Sequence, residues 1–394
     1  MTPTDSYALI PFTDTHRMVR ETVRSFTEER IAPRAEEIDR THEFPLTAFR
    51  ELAGLDLLGI YMAEEYGGAG MDFVSFIITM EELARGCGST AITLTAHTSL
   101  CMAPIADLGT EEQKRRFLPP LCSGEHIGCF GLSEAEAGSD AGNTKTLARR
   151  DGDAFVVSGS KMWITNGSRA HTMVATVKTD PSAPRSRGIS ALIIELDSPE
   201  VQIIKEEDKL GLRASSTAQV FFDNVRVPAE NLLGVLDTGF GAFMKTLEGG
   251  RIGIGALALG IAQGAYDRTL QYVKQRRTFG KLLAQHQTVQ DYIADMTTDL
   301  EASRLLVYRA AFMKDAGVAY GKEAAMAKMY ASEAAMRVCD KAIQIHGGFG
   351  YTREFEVERM YRDAKLCTIG EGTTEIQRMV IARYVLGRAV KGEV

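Results

Sequence analysis

One carboxylate stands between two glycines near the end of the chain, in Ile369-Gly370-Glu371-Gly372-Thr373-Thr374, followed by Glu375-Ile376-Gln377-Arg378. Flanking glycines remove the side chains that would shield Glu371 and let the backbone bend close to a ligand. Thr374 and Gln377 have capping-box spacing, so the acid is expected just ahead of a rigid helix start. A carboxylate presented this way can act as general base toward a weakly acidic C–H bond. These residues alone do not separate that role from a solvated loop acid.

Two further segments could do chemistry. Gly131-Leu132-Ser133-Glu134-Ala135-Glu136-Ala137-Gly138-Ser139-Asp140-Ala141-Gly142 combines hydroxyls, free N–H groups and backbone freedom, which suits a polar ring edge or a phosphate-bearing ligand. Gln344-Ile345-His346-Gly347-Gly348-Phe349-Gly350-Tyr351, with Glu354, Arg359 and Asp363 behind it, lets a ligand or another backbone approach a helix end. Six cysteines are scattered without the spacing of a disulfide framework. Cys122, His126 and Cys129 lie close in sequence but have no paired fourth ligand, so they are assigned as buried thiols and no metal is expected.

Three stretches must position these residues. From about His16 to Gly124 apolar residues recur at helical spacing, as in Val19, Val23 and Phe26 and in Phe73, Phe76, Met80 and Leu83. Turns are expected at Tyr66 to Gly70 and at Leu118-Pro119-Pro120. From about His126 to Leu233 short apolar runs are bounded by Gly, Asp, Asn and Pro: Phe155 to Val157, Met173 to Val177, Ile189 to Leu196 and Val220 to Phe222. They do not alternate with helices, which disfavours a doubly wound parallel sheet. From Gly239 onward the pattern is helical again, and Glu323 to Ile345 is Ala-rich and amphipathic. The expected architecture is α+β and multidomain: a helical domain over 1–125, a β-barrel over 126–236 and a helical bundle over 237–394.

The 394 residues suffice for such a set of units. A net charge of −7 and a pI near 5.7 argue against a nucleic-acid binder. No apolar run is long enough for a membrane span. The start, Met1 to Ser6, has neither a basic n-region nor an apolar h-region, so a bacterial cytoplasm is the expected address, with the mitochondrial matrix as fallback.

Taken together, the two glycine-rich segments resemble signatures of the acyl-CoA dehydrogenases, flavoenzymes that desaturate acyl-CoA thioesters between the α and β carbons. Lys161 to Gly167, Lys209 to Thr217, Arg276-Arg277-Thr278-Phe279-Gly280 and Leu108 to Lys114 are similar to that family in the same order, so the likeness covers nearly the whole chain. It is greatest toward the short-chain (butyryl-CoA) branch. The resemblance implies a helical domain, a middle β-barrel and a C-terminal four-helix bundle, with FAD between the last two. It implies that Phe130, Leu132 and Ser133 line the flavin and that Trp163 and Thr165 pack on and bond the ring. Arg276, Thr278, Phe279, His286 and Gln287 match the stretch reaching the adenosine and pyrophosphate, partly in a neighbouring subunit, as do Gln344, Gly347 and Gly348. Thr373 and Glu375 match further flavin contacts, and Ser139, Glu248, Arg251 and Gly372 match contacts to the acyl-CoA. Glu371 matches the catalytic base, with the thioester carbonyl polarised by the base's own N–H and a ribityl hydroxyl of FAD. An electron-transferring flavoprotein as acceptor and a homotetramer are family expectations.

Ala135 and Asn143 depart from the commonest signature residues, with less consequence expected than two positions near the base. Some members carry the base immediately before the Arg that Arg251 matches; here that position is Gly250. Short- and medium-chain members usually carry Tyr before the base, whereas this chain has Gly370, which is expected to widen the acyl pocket and admit longer or branched groups. The alternatives are an oxygen-reducing oxidase of the same fold and a non-catalytic flavin-binding protein. A nicotinamide enzyme is disfavoured: Gly253-Ile254-Gly255-Ala256-Leu257-Ala258 follows no strand and reads as helix-packing glycine.

Overall fold

The computed structural model describes residues 10–387 and Ala389. The start of the chain, on which the expected address rests, and the last residues of the third expected domain lie outside the described residues.

Residues 14–122 form seven α-helices: α1 (Asp14–Phe26), α2 (Ala35–Thr41), α3 (Leu46–Ala53), α4 (Phe73–Gly86), α5 (Gly88–Thr95), α6 (Ala103–Leu108) and α7 (Glu111–Cys122). α1 buries Val19 and Val23, and α4 buries Phe73, Phe76, Met80 and Leu83, as their spacing predicts. The N-terminus of α4 is satisfied twice. Asp72 accepts from Ser75 N–H, and the remote Asp315 carboxylate accepts from Phe73 and Val74 N–H at 2.9 Å each. One expected turn is absent: Pro119 and Pro120 lie inside α7. They are tolerated in its last turns because the carbonyls that lose a partner belong to the exposed Arg115 and Arg116.

The middle region is one sheet of eight strands: β1 (Gly128–Gly131), β2 (Leu147–Asp151), β3 (Ala154–Thr165), β4 (Thr172–Lys178), β5 (Ile189–Glu195), β6 (Val201–Glu206), β7 (Thr217–Pro228) and β8 (Leu232–Leu233). Their order is β6-β7-β3-β2-β4-β5-β8, with β1 parallel to β4 and the other pairs antiparallel apart from a short β2–β4 contact. Inward residues of β3, β4, β5 and β7 meet in one core containing Phe155, Val157, Met173, Leu192, Val220 and Phe222. The sheet rolls around that core in barrel fashion, its ladder open between β6 and β8. β6 was not among the expected strands, and most of its residues are exposed.

The rest is helical: α8 (Gly239–Gln275), α9 (Gln287–Asp315), α10 (Gly321–His346), α11 (Val357–Cys367) and α12 (Thr374–Leu386), with a hairpin of β9 (Arg277–Thr278) and β10 (Lys281–Leu282). Helices α8 to α11 pack as a four-helix group, and α12 lies on α10. At 37 residues, α8 runs for about 55 Å, carrying Glu248 and Arg251 near its start and delivering Arg276 at its end. Its glycines pack against helices: a Cβ on Gly255 would meet Val307 at 3.1 Å, and one on Gly260 would overlap the Glu81 carbonyl of α4. Among the described residues no helix is long and apolar enough to cross a membrane.

Candidate active site

Glu371 lies in the turn between α11 and α12. Two successive residues there take left-handed backbone, Glu371 (φ 53°) and Gly372 (φ 88°). Glycine does this freely, but a glutamate must be held. Gln377 Nε2 donates to the carbonyls of Glu371 (3.2 Å) and Gly372 (2.9 Å), and Lys328 Nζ donates to Gly372 O at 2.7 Å. The cap of α12 is Thr373, whose hydroxyl accepts from Ile376 N–H at 3.3 Å. The expected cap, Thr374, is one residue too late: it is already helical, and Gln377 turns back to the loop.

The turn directs the carboxylate onto the first turns of α8. Among the described residues Oε2 is buried without a hydrogen-bond partner. It lies against Gly250, where a Cβ would overlap it, and Leu100 Cδ2 would approach the same point to 2.9 Å. Leu100 belongs to Ala96–Met102, a π-helical segment of the kind that recurs at functional sites. Arg251 is buried, and its Nε has no partner among the described residues. Glu248 accepts from Tyr384 O–H at 3.0 Å.

Burial pushes the Glu371 carboxyl up to about 7, against the pull of Lys328 and Arg251. Burial also lowers Lys328 to about 8 and holds Arg251 below the usual guanidinium range, with Glu248 and Glu371 opposing it. A desolvated carboxyl titrating near neutrality, between two buried cations, has the properties of a general base. The N–H of Glu371 bonds no acceptor among the described residues and is free to polarise a carbonyl.

A second group of residues borders the sheet. β3 bulges between Lys161 and Ile164, and at the bulge Trp163 takes φ 61° and is 57% exposed. An exposed tryptophan on strained backbone is a platform rather than core. Asn166 fixes the strand end, donating to Thr93 O and Gly128 O, while Thr165 is half-buried. Phe130 stacks on Phe243 of α8 at 4.5 Å, and Leu132 packs beside them. Lys161, fully buried, donates to Glu134 at 2.7 Å and to Leu132 O at 3.2 Å. Glu134 also accepts from Lys145 N–H, Thr146 N–H and the Thr146 hydroxyl. This pair clamps the loop carrying Leu132 and Ser133. Ser139 stands exposed further along that loop.

The remaining expected residues lie at an open end of the bundle. Thr278 meets His286 at 3.1 Å, the Arg276 guanidinium lies 5.4 Å over the Phe349 ring, and Phe279 is 95% exposed on left-handed backbone. Gln287 and Gln344 are exposed, and a Cβ on Gly347 or Gly348 would meet none of the described residues within 4 Å. Glu375 points outward on the first turn of α12.

Three family models match in chain order: the N-terminal domain of acyl-CoA dehydrogenase over residues 13–125, the middle domain over 129–225 and the C-terminal domain over 237–386. The chain belongs to the acyl-CoA dehydrogenase family. It is 48% identical to a short-chain specific acyl-CoA dehydrogenase of Clostridium acetobutylicum, over 93% of this chain and 96% of that protein. The butyryl-CoA dehydrogenase structure of Megasphaera elsdenii superposes with a TM-score of 0.93 at 43% identity, covering 95% of this chain and 99% of that one. A chain from structural work on the electron transferring flavoprotein of Acidaminococcus fermentans matches with a TM-score of 0.94 at 43% identity, over 96% and 99%.

The chain is thus an acyl-CoA dehydrogenase family enzyme, and the cofactor of the family is FAD. The residues present fit that group: an exposed tryptophan on a bulge, a clamped Leu132-Ser133 loop, and an open glycine turn beside an arginine. Lys328 and Tyr384 belong to no motif in the sequence, and Gln377, expected as the capping-box partner of Thr374, instead tethers the turn. Lys328 left a signal, since it falls on the apolar stripe of α10 with Ala324, Ala331 and Ala335.

Proposed function

We propose that this acyl-CoA dehydrogenase desaturates short- or branched-chain acyl-CoA to the trans-2-enoyl thioester, with Glu371 removing the α-proton. The observation that carries this is the Glu371 carboxylate itself: on a half-buried residue, with Oε2 buried and unpartnered among the described residues, raised to about 7 and held over Gly250 by a tethered turn. FAD, when bound, supplies the hydride acceptor for the β-carbon. Phe130, Leu132, Ser133, Trp163, Thr165, Thr373 and Glu375 would hold the flavin. Arg276, Thr278, Phe279, His286, Gln287, Gln344, Gly347 and Gly348 would reach the adenosine and pyrophosphate. Arginine suits pyrophosphate through its forked, charge-assisted donors. Ser139, Glu248, Arg251 and Gly372 would contact the acyl-CoA.

The α-proton passes to a Glu371 oxygen as the thioester carbonyl is polarised by the Glu371 N–H. Gly250 and Leu100 shield Oε2 from water, and that makes it a stronger base than in water. Gly370 bears on the substrate. A Cβ there would make only ordinary contact with Leu366, at 3.6 Å, and its backbone is not in the left-handed region. A side chain is therefore sterically possible, and its absence leaves room for a branched or longer acyl group.

The exposure of Phe279, Gln344, Gly347 and Gly348 supports a homotetramer in which neighbouring subunits complete the cofactor site. The likeness to a chain studied with an electron transferring flavoprotein supports that class of protein as the electron acceptor. Domain limits at 125/126 and 236/237 and a bacterial cytoplasmic address, or failing that the mitochondrial matrix, complete the proposal. The test is anaerobic bleaching of the purified yellow protein across straight and branched acyl-CoAs. Bleaching fastest with a short or branched substrate is expected, and no bleaching with any would overturn the proposal. Rapid peroxide formation under air would move the function to an oxidase.

A further inference from the structure

Lys328 is the one lysine of α10 with no exposed surface that reaches the turn of Glu371. Its Nζ lies 2.7 Å from Gly372 O, the carbonyl immediately after the base. That is its sole hydrogen bond among the described residues, whereas a buried ammonium ordinarily gathers several acceptors. The charged and titratable groups facing it are Glu371 in the turn, Cys367 of α11, Glu333 of α10 and Arg251 of α8. Three helices thus converge on a cation whose only direct bond fixes the left-handed Glu371-Gly372 backbone. The second tether, Gln377, bonds the same carbonyl but carries no charge.

We propose that Lys328 is a positioning residue for the base. Its bond to Gly372 O holds the turn with the carboxylate over Gly250, and its charge favours the ionised form of Glu371. The bond and the charge are separable. Arginine retains the charge with altered geometry, while methionine keeps approximate volume and loses both. This inference rests on the assignment of Glu371 as base, but each can fail alone: activity surviving in Glu371→Gln removes the base, whereas the results below concern Lys328 only.

The experiment compares Lys328→Met and Lys328→Arg with the wild type, all as FAD-loaded enzyme, by kcat, KM and the pH profile of kcat/KM. In Lys328→Met, kcat is expected to fall about tenfold or more, the order that follows misplacement of a reacting group. KM should change little, and the acid limb should move to higher pH because the carboxylate loses the charge that most favours its ionised form. Lys328→Arg should keep the acid limb near its wild-type position. A merely structural lysine would lower thermal stability and flavin content without moving the limb, and an unmoved limb in a folded Lys328→Met overturns the proposal. Should Lys328→Met not fold, the reciprocal measurement uses the lysine Nζ resonances of 15N-lysine wild type and Glu371→Gln. The Lys328 resonance should titrate at lower pH once the Glu371 charge is gone, and an unchanged titration overturns the coupling.

Discussion

The carboxylate of Glu371 occupies the space that a side chain on Gly250 would need. A Cβ built on Gly250 overlaps Glu371 Oε2, although Gly250 lies on α8 and Glu371 in the turn between α11 and α12. Position 250 and the carboxylate of the proposed base are therefore neighbours in space, and an acid could reach this point from either side. Here α8 contributes only backbone, and the turn before α12 contributes the acid.

Gly250→Ala is expected to displace the carboxylate and lower kcat by about 10²-fold, with FAD retained, as read from steady-state rates and the flavin spectrum. Gly250→Glu combined with Glu371→Gly should recover part of the activity lost in Glu371→Gly alone. The helix accommodates glutamate better than glycine, and the left-handed turn accommodates glycine better than glutamate.

The pH dependence follows from the raised Glu371 carboxyl. The base works ionised, so kcat/KM should fall about tenfold per pH unit as pH drops through about 7. Stability runs the other way. A carboxyl raised from 4.5 to about 7 on folding contributes stability that is fully present below 4.5 and lost as pH rises through 7. Glu371→Gln does not titrate. It should therefore be more stable than wild type above pH 7, by on the order of 3 kcal/mol at most and with a higher Tm, and the gap should close below about pH 4.5. Differential scanning calorimetry at pH 4.5 and 8 checks the sign.

Lys161→Met should be more damaging than its distance from the base suggests. It leaves the Glu134 carboxylate buried without its cation, which typically costs about 3–5 kcal/mol, here toward the low end because three donors remain. A lower Tm is expected together with loss of FAD on gel filtration, since the Leu132-Ser133 loop is freed. Unchanged flavin content would show that the clamp does not serve the cofactor side.

The order of helices, sheet and helices was legible because hydrophobic periods of 3.6 and 2 differ clearly over such long stretches. Glu371 was legible through its setting of glycines and the two accompanying signatures. The helix start was misplaced by one residue, because adjacent Thr373 and Thr374 offer the same cap chemistry and only the backbone selects between them. Lys328 was passed over because a lone lysine among alanines usually lies in solvent, and its burial depends on α12 covering α10. The Lys161–Glu134 clamp joins two recognised segments, but the pairing of a strand residue with a loop residue 27 positions away is set by the tertiary fold and is not visible in either segment. The prolines of α7 misled because proline near a helix end resembles a turn, and the exposure of the carbonyls it orphans is a tertiary property.

The central claim is that Glu371 removes the α-proton, and stopped-flow bleaching of the Glu371→Gln flavin absorbance by an acyl-CoA that reduces the wild type tests it most directly. The variant should stay yellow and bind the acyl-CoA, with bleaching slower by at least about 10³-fold. Bleaching at the wild-type rate would contradict it.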